Sequence, residues 1–164
     1  MVLLFILFSC KKEVSEKRIQ EKYPKKFLKT LQKHGGINTW NTFKTLSFNK
    51  GKEIHTVDLH SRKTAIHTPS YSLGFNGTEI WQVEKEKKSF KGNKDFYHNL
   101  YFYFYAMPFV LADEGIIYEK TEDLKFEGIN YPGYKISYAS NKGTSPDDNY
   151  IVYYNSKTYQ TAIN

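Results

Sequence analysis

Five histidines are the first candidates for a metal ligand or a general base in this chain of 164 residues. The stretch from Glu53 to His60 alternates as a strand does, so His55 and His60 fall on opposite faces and cannot share an ion. Asp58 and His60 share one face with Arg62; the spacing suits an acid–base pair, but an alternating polar row on a solvated sheet gives it more commonly. His98 lies among aromatic residues with no Ser or Cys nucleophile close to it in sequence, and His34 closes a helical stripe. Asp147 and Asp148 follow Ser145-Pro146, a turn composition in which carboxylates bond local amides, and they lack the D-x-[DN]-x-[DN]-G order of a calcium loop. The chain has no phosphate-binding glycine loop and no G-x-S-x-G elbow. Its single cysteine, Cys10, permits neither an intramolecular disulfide nor a C-x-x-C zinc site. The expectation is a protein that is not an enzyme and holds no metal or cofactor.

The elements that would carry these residues follow from pattern. Aromatic residues make up 17% of the chain and charged residues 25%, too hydrophobic for disorder, and no apolar run reaches the roughly 20 residues of a membrane-spanning helix. One domain around an aromatic core is expected. Pro24 to His34 predicts a helix, with Phe27, Leu28, Leu31 and His34 on one stripe and Gly35-Gly36 as its stop. Ile37 to Phe43 adds a short helical turn. Strands are expected at 45–49, 53–60, 63–68, 71–75 and 79–84, with Asn76-Gly77 as a two-residue hairpin turn. Eight of the fourteen residues from Phe96 to Phe109 are aromatic. Following Asp95 as N-cap and ending at Met107-Pro108, this run reads as a buried helix, apolar on every side. Strands return at 116–120, 124–127, 134–139, 150–154 and 158–163, with turns at Tyr131-Pro132-Gly133 and Asn155-Ser156-Lys157. The last strand stops without a turn or polar tail, so the chain is expected to end inside its domain.

The beginning of the chain reads as targeting. Met1 to Ser9 is uncharged, Val2 to Phe8 is continuously apolar, and Leu7-Phe8-Ser9-Cys10 resembles the bacterial lipobox. That likeness implies a signal peptide at 1–9 that is removed, acylation of Cys10, and a basic tether over 10–22. From Lys11 to Lys33 there are nine Lys/Arg against three Glu, which is +6 of the formal +7. Basic charge next to an anchor suits an anionic lipid surface, whereas a nucleic-acid binder is expected to carry its basic residues on a face of the folded body, interleaved with groups that reach bases. A membrane-anchored location in the bacterial cell envelope is expected.

A sheet of about ten antiparallel strands has a face that one or two helices cover only in part, so it either packs solid or leaves an apolar hollow for a ligand. The stretches K-H-G-G-I-N-T-W (33–40), V-D-L-H-S-R (57–62), L-G-F-N-G-T-E-I-W (73–81), F-Y-H-N-L-Y-F-Y-F-Y-A-M-P-F-V-L-A-D (96–113) and S-P-D-D-N-Y-I-V-Y-Y (145–154) resemble those of an uncharacterised family of Bacteroidota lipoproteins. That family is similar in layout to the LolA/LolB lipoprotein carriers. The resemblance implies an α+β fold over residues 23–164. It would be an unclosed antiparallel β-barrel, a strongly curved sheet, covered by the N-terminal helix and an aromatic lid helix and continuing past Asn164. It also implies a cavity that takes lipid acyl chains, and a monomer is expected. Trp40, Phe75, Trp81, Phe102, Phe104 and Met107 are the expected lining. The competing expectation is a ligand-free module that docks other envelope proteins.

Overall fold

The computed structural model describes residue 19 and residues 21–139 and 150–162. Cys10, the signal peptide, most of the tether and the Asp147-Asp148 turn lie outside the described residues. Among the described residues the chain is α+β with nine strands in two antiparallel sheets, and neither sheet closes into a barrel. The single sheet of about ten strands expected from sequence is thus corrected to two sheets, each belonging to its own compact unit. Among the described residues no helix is long and apolar enough to cross a membrane.

One unit comprises residues 38–110. Its strands β1 (Thr45–Lys50), β2 (Glu53–Asp58), β3 (Thr64–His67), β4 (Tyr71–Phe75) and β5 (Ile80–Glu84) form a meander in chain order. The period-two pattern sorts the side chains. Leu46, Phe48, Lys50, Glu53, His55, Val57, Thr64, Ile66, Tyr71, Leu73 and Phe75 take one face, and Ile54, His67 and Val83 the other. The helix over Lys94–Tyr105 packs against the first of these faces, on β3, β4 and β5. Asn93 is its N-cap, its side chain accepting the Asp95 N–H at 2.9 Å; the cap is therefore two residues earlier than Asp95. Strand β2 stops at Asp58 because that carboxylate folds back on the next turn, taking the amides of His60 (3.1 Å) and Ser61 (2.6 Å) and the Ser61 hydroxyl (2.8 Å). The β4–β5 hairpin is where Asn76-Gly77 put it, but its two central residues are Gly77 and Thr78. Asn76 opens the turn, its Oδ1 accepting the amides of Thr78 and Glu79 at 2.9 Å each.

The other unit comprises residues 1–37 and 111–164. The helix α1 (Lys25–Lys33) buries Phe27, Thr30 and Leu31, as its stripe requires. A short helical turn, α2 (Ile37–Trp40), follows, so the helix in the 38–110 unit is α3. A 3₁₀ turn at Phe109–Ala112 then leads to β6 (Ile116–Phe126), β7 (Ile129–Tyr138), β8 (Tyr150–Tyr154) and β9 (Thr161–Ala162), paired in that order. Aromatic rings form the core of this unit. Phe27 lies 5.2 Å from Tyr118, Tyr118 lies 6.4 Å from Tyr134, and Tyr134 stacks on Tyr154 at 6.2 Å. The buried phenols find backbone acceptors: Tyr118 donates to the Leu111 carbonyl at 2.6 Å and Tyr23 to that of Ala112 at 3.0 Å. Tyr131-Pro132-Gly133 is not a turn but the middle of β7. Pro132 sits where the register shifts between Thr121 and Leu124, an irregularity that needs no N–H from it. The reversal comes at Glu127-Gly128, both with positive φ.

Candidate functional site

The most concentrated chemistry in the 38–110 unit surrounds Glu53, a residue without prominence in the sequence. The β-hairpin places Lys50 opposite Glu53 and Phe48 opposite His55, all on the inward face. Glu53 is only 13% exposed and is held from four sides. Tyr71 donates to Oε1 at 2.7 Å, the Tyr97 hydroxyl lies 2.9 Å from both oxygens, His55 Nε2 donates to Oε2 at 2.9 Å and Lys50 Nζ lies 3.5 Å away. Lys50 also donates to the Tyr97 hydroxyl at 2.9 Å, and its ammonium sits 4.4 Å from the Tyr101 ring centroid. Rings enclose the group: Phe48 stacks on His55 at 4.7 Å and on Tyr105 at 4.0 Å, and Phe90 lies 5.2 Å from Tyr71 and 5.3 Å from Tyr97.

The electrostatics follow from this packing. Burial pushes the Glu53 carboxyl up, but the hydrogen bonds from Tyr71, His55 and Tyr97 and the charge of Lys50 outweigh it, so the carboxyl titrates below its ordinary range. The Lys50 ammonium is held well above its usual value, chiefly by the Tyr97 hydroxyl. Burial raises the phenols of Tyr71 and Tyr97, with Glu53 adding to both. The carboxylate's acceptor positions are filled, so the cluster ties β1, β2 and β4 to α3 through one anion. Its signal in sequence was parity: Lys50, Glu53, His55 and Val57 share a face that must be buried.

His98 is buried at the centre of the α3 interface. Its Nδ1 lies 3.3 Å from the Thr64 hydroxyl, whose oxygen already accepts the Phe75 N–H at 3.0 Å. One hydrogen bond, its direction set by the imidazole tautomer, thus joins α3 to β3 here. Burial pushes the His98 pKa down, against the pull of Asp95. Asp58, His60 and Arg62 do not form the alternating row expected of them, because the Asp58 carboxylate is occupied by the turn. Among the described residues no group of three His, Cys, Asp or Glu is placed to hold a metal ion.

The six residues expected to line a hollow are not brought to one surface. Phe75 is half-buried on the inward face, 5.8 Å from the His98 ring. Trp81 pairs in register with Gly74, one place away from the Phe75–Ile80 pair, and so lies on the opposite face, 6.5 Å from the His67 ring. Phe102 is 3% exposed, with the Arg62 guanidinium 5.0 Å over its ring. Trp40 stacks on Phe109 at 4.6 Å, and Met107 is half-buried after the helix. Phe104 points to solvent, 57% exposed. The expectation that α3 is buried on every side is corrected accordingly: Phe96, Phe104 and Tyr105 are each more than half exposed. Phe96, Leu100, Tyr103 and Phe104 recur at helical spacing on the side of α3 away from His98.

Comparison with protein-family models, with curated proteins and with solved structures returned no match to this chain.

Proposed function

We propose that this chain is a lipid-anchored protein of the bacterial cell envelope that receives an acyl chain or another apolar ligand, in the manner of the LolA/LolB carriers and acceptors its layout resembles. The observation that supports this reading is the apolar stripe of α3, where Phe96 and Phe104 stand in water although the same helix buries His98 and Phe102. Large aromatic rings left exposed at regular spacing carry a cost in water that a hydrophobic ligand removes. Anchoring falls to Cys10 and the basic segment after it, with several acyl chains or the lysines supplying what one chain lacks. The protein works as a monomer in this reading, without cofactor, metal or catalysis.

Native mass spectrometry of the protein purified from a bacterial host tests it directly. A copurifying lipid, together with displacement of a fluorescent fatty acid by that lipid, is the expected result. A protein that carries no lipid and binds no probe refutes the ligand reading. The alternative, a module that docks other envelope proteins, is favoured by a separate observation: the outward face of the 38–110 sheet carries Ile54 and Val83, both more than half exposed, beside Trp81.

A further inference from the structure

Two stretches of the described residues concentrate positive charge: α1, with Lys25, Lys26, Lys29 and Lys33, and, in the 38–110 unit, the connection from β5 to α3. Lys85, Lys87, Lys88 and Lys91 stand in that connection against two exposed acids, Glu84 at the end of β5 and Glu86. Outside Lys11–Lys33 the chain has fifteen Lys/Arg and fourteen Asp/Glu, a surplus of one; Glu84 to Lys91, with four Lys and two Glu, has a surplus of two, so what remains outside both stretches is slightly acidic. All four lysines are exposed, and among the described residues no carboxylate forms an ion pair with any of them within 4.0 Å.

The loop is built rather than slack. The Glu84 carboxylate accepts the amides of Lys88 (3.0 Å) and Phe90 (3.2 Å), the Ser70 carbonyl takes the Lys85 amide (2.8 Å) and the Ser89 hydroxyl (3.1 Å), and Phe90 is wedged between Tyr71 and Tyr97. The Glu84 carboxylate thereby fixes the loop backbone, and the four lysines are exposed. Three residues past the N-cap Asn93 the chain presents Phe96, 58% exposed. Exposed ammonium groups followed within a few residues by an exposed aromatic ring match the interface of an anionic bilayer, which attracts the lysines electrostatically and accepts the ring among its acyl chains.

We propose that the Lys85–Lys91 loop, with Phe96, is a membrane-contact surface that seats the folded body on anionic lipid headgroups. This goes beyond the ligand reading and does not depend on it or on Cys10, since a body that carries no ligand could still be seated in this way.

Vesicle co-sedimentation of the full chain carrying Cys10→Ala, so that no acyl group contributes, tests the proposal. Vesicles of phosphatidylcholine alone are compared with vesicles containing phosphatidylglycerol. The parent is expected to prefer the anionic vesicles, and Lys85→Gln/Lys87→Gln/Lys91→Gln to lose on the order of tenfold or more of that partitioning, at a few-fold per lysine near the surface. The matched control Lys120→Gln/Lys125→Gln/Lys135→Gln removes the same charge from exposed positions of the other unit and is expected to change partitioning far less. Equal losses in the two triple variants, or no loss in the first, overturn the proposal. Phe96→Trp supplies a second reading: its added fluorescence should be quenched by brominated acyl chains, and absence of extra quenching over the parent overturns the insertion of this residue. If the loop variant instead loses affinity for duplex DNA while keeping its vesicle binding, the surface serves a nucleic acid and the lipid proposal falls.

Discussion

Glu53 shows how one side chain can be functionally silent in sequence and decisive in structure. Removing its charge while keeping its shape, as Glu53→Gln does, leaves Lys50 and His55 facing an amide and should cost about 1–3 kcal/mol of stability, read as a lowered denaturant midpoint with unchanged slope. The pH dependence has a definite sign. A carboxyl with a depressed folded-state pKa contributes stability that is complete above its unfolded value of about 4.3 and is lost as pH falls through the folded value. His98, also depressed but as a base, makes the folded state resist protonation, so stability begins to fall below its unfolded value of about 6.5. The thermal midpoint should therefore decline in two legs on acidification. His98→Gln should flatten the upper leg. Glu53→Gln should flatten the lower leg only in part, because the Ser61 amide and hydroxyl hold the Asp58 carboxyl low as well. A lower leg unchanged by Glu53→Gln would show that the carboxylate is not bonded as described. Histidines stand out in a sequence because they are rare; the glutamate does not, because nothing in a one-dimensional pattern says that two tyrosines from β4 and α3 converge on it.

At the scale of the element, α3 divides into a face that packs and a face that does not, and its mutants should divide with it. Phe102→Ala should cost about 3–5 kcal/mol, since the ring is buried, whereas Phe104→Ala should stay within about 1 kcal/mol of the parent while weakening fatty-acid uptake. Equal costs at the two positions would mean that the exposed stripe is not exposed. Asn93→Ala should lower stability by about 1 kcal/mol through loss of the cap. Gly74 in β4 is a sharper case: a Cβ there would run into the Thr64 carbonyl, so Gly74→Ala should cost on the order of 2 kcal/mol, measured by thermal unfolding. The strands of this unit were legible because half-buried strands alternate, and 71–75 was read to the residue. Turns were less so. Tyr131-Pro132-Gly133 has the composition of a reversal, yet a proline can hide at a bulge, and the true turn at Glu127-Gly128 needs positive φ from a glutamate. The aromatic run was correctly helical, but composition alone could not say which side met water: tyrosine and phenylalanine serve both as core and as exposed surface.

For the whole molecule, pattern reading identified antiparallel strands and the helices but could not divide them between sheets, since strand pairing across a long interruption leaves no local trace. The anchor prediction belongs at this scale. Cys10→Ala should move the protein expressed in a bacterial host from the detergent phase to the aqueous phase on phase partitioning; an unchanged distribution removes the lipoprotein reading. The two units differ in how their chain segments are arranged, and this bears on the order in which they can form. Residues 38–110 are continuous, so every contact within that sheet is available once this stretch has emerged from the ribosome or the translocon. The other unit is split. The stripe of α1, with Phe27 and Leu31, emerges first, but its aromatic partner Tyr118, and Tyr134 and Tyr154 beyond it, follow only after the intervening unit. At about 5–20 residues per second, the wait from Leu31 to Tyr154 is roughly 6 to 25 s. Throughout that interval the helix is an unburied amphipathic segment carrying Lys25, Lys26, Lys29 and Lys33, the kind of peptide that a chaperone or a bilayer surface holds until its sheet arrives.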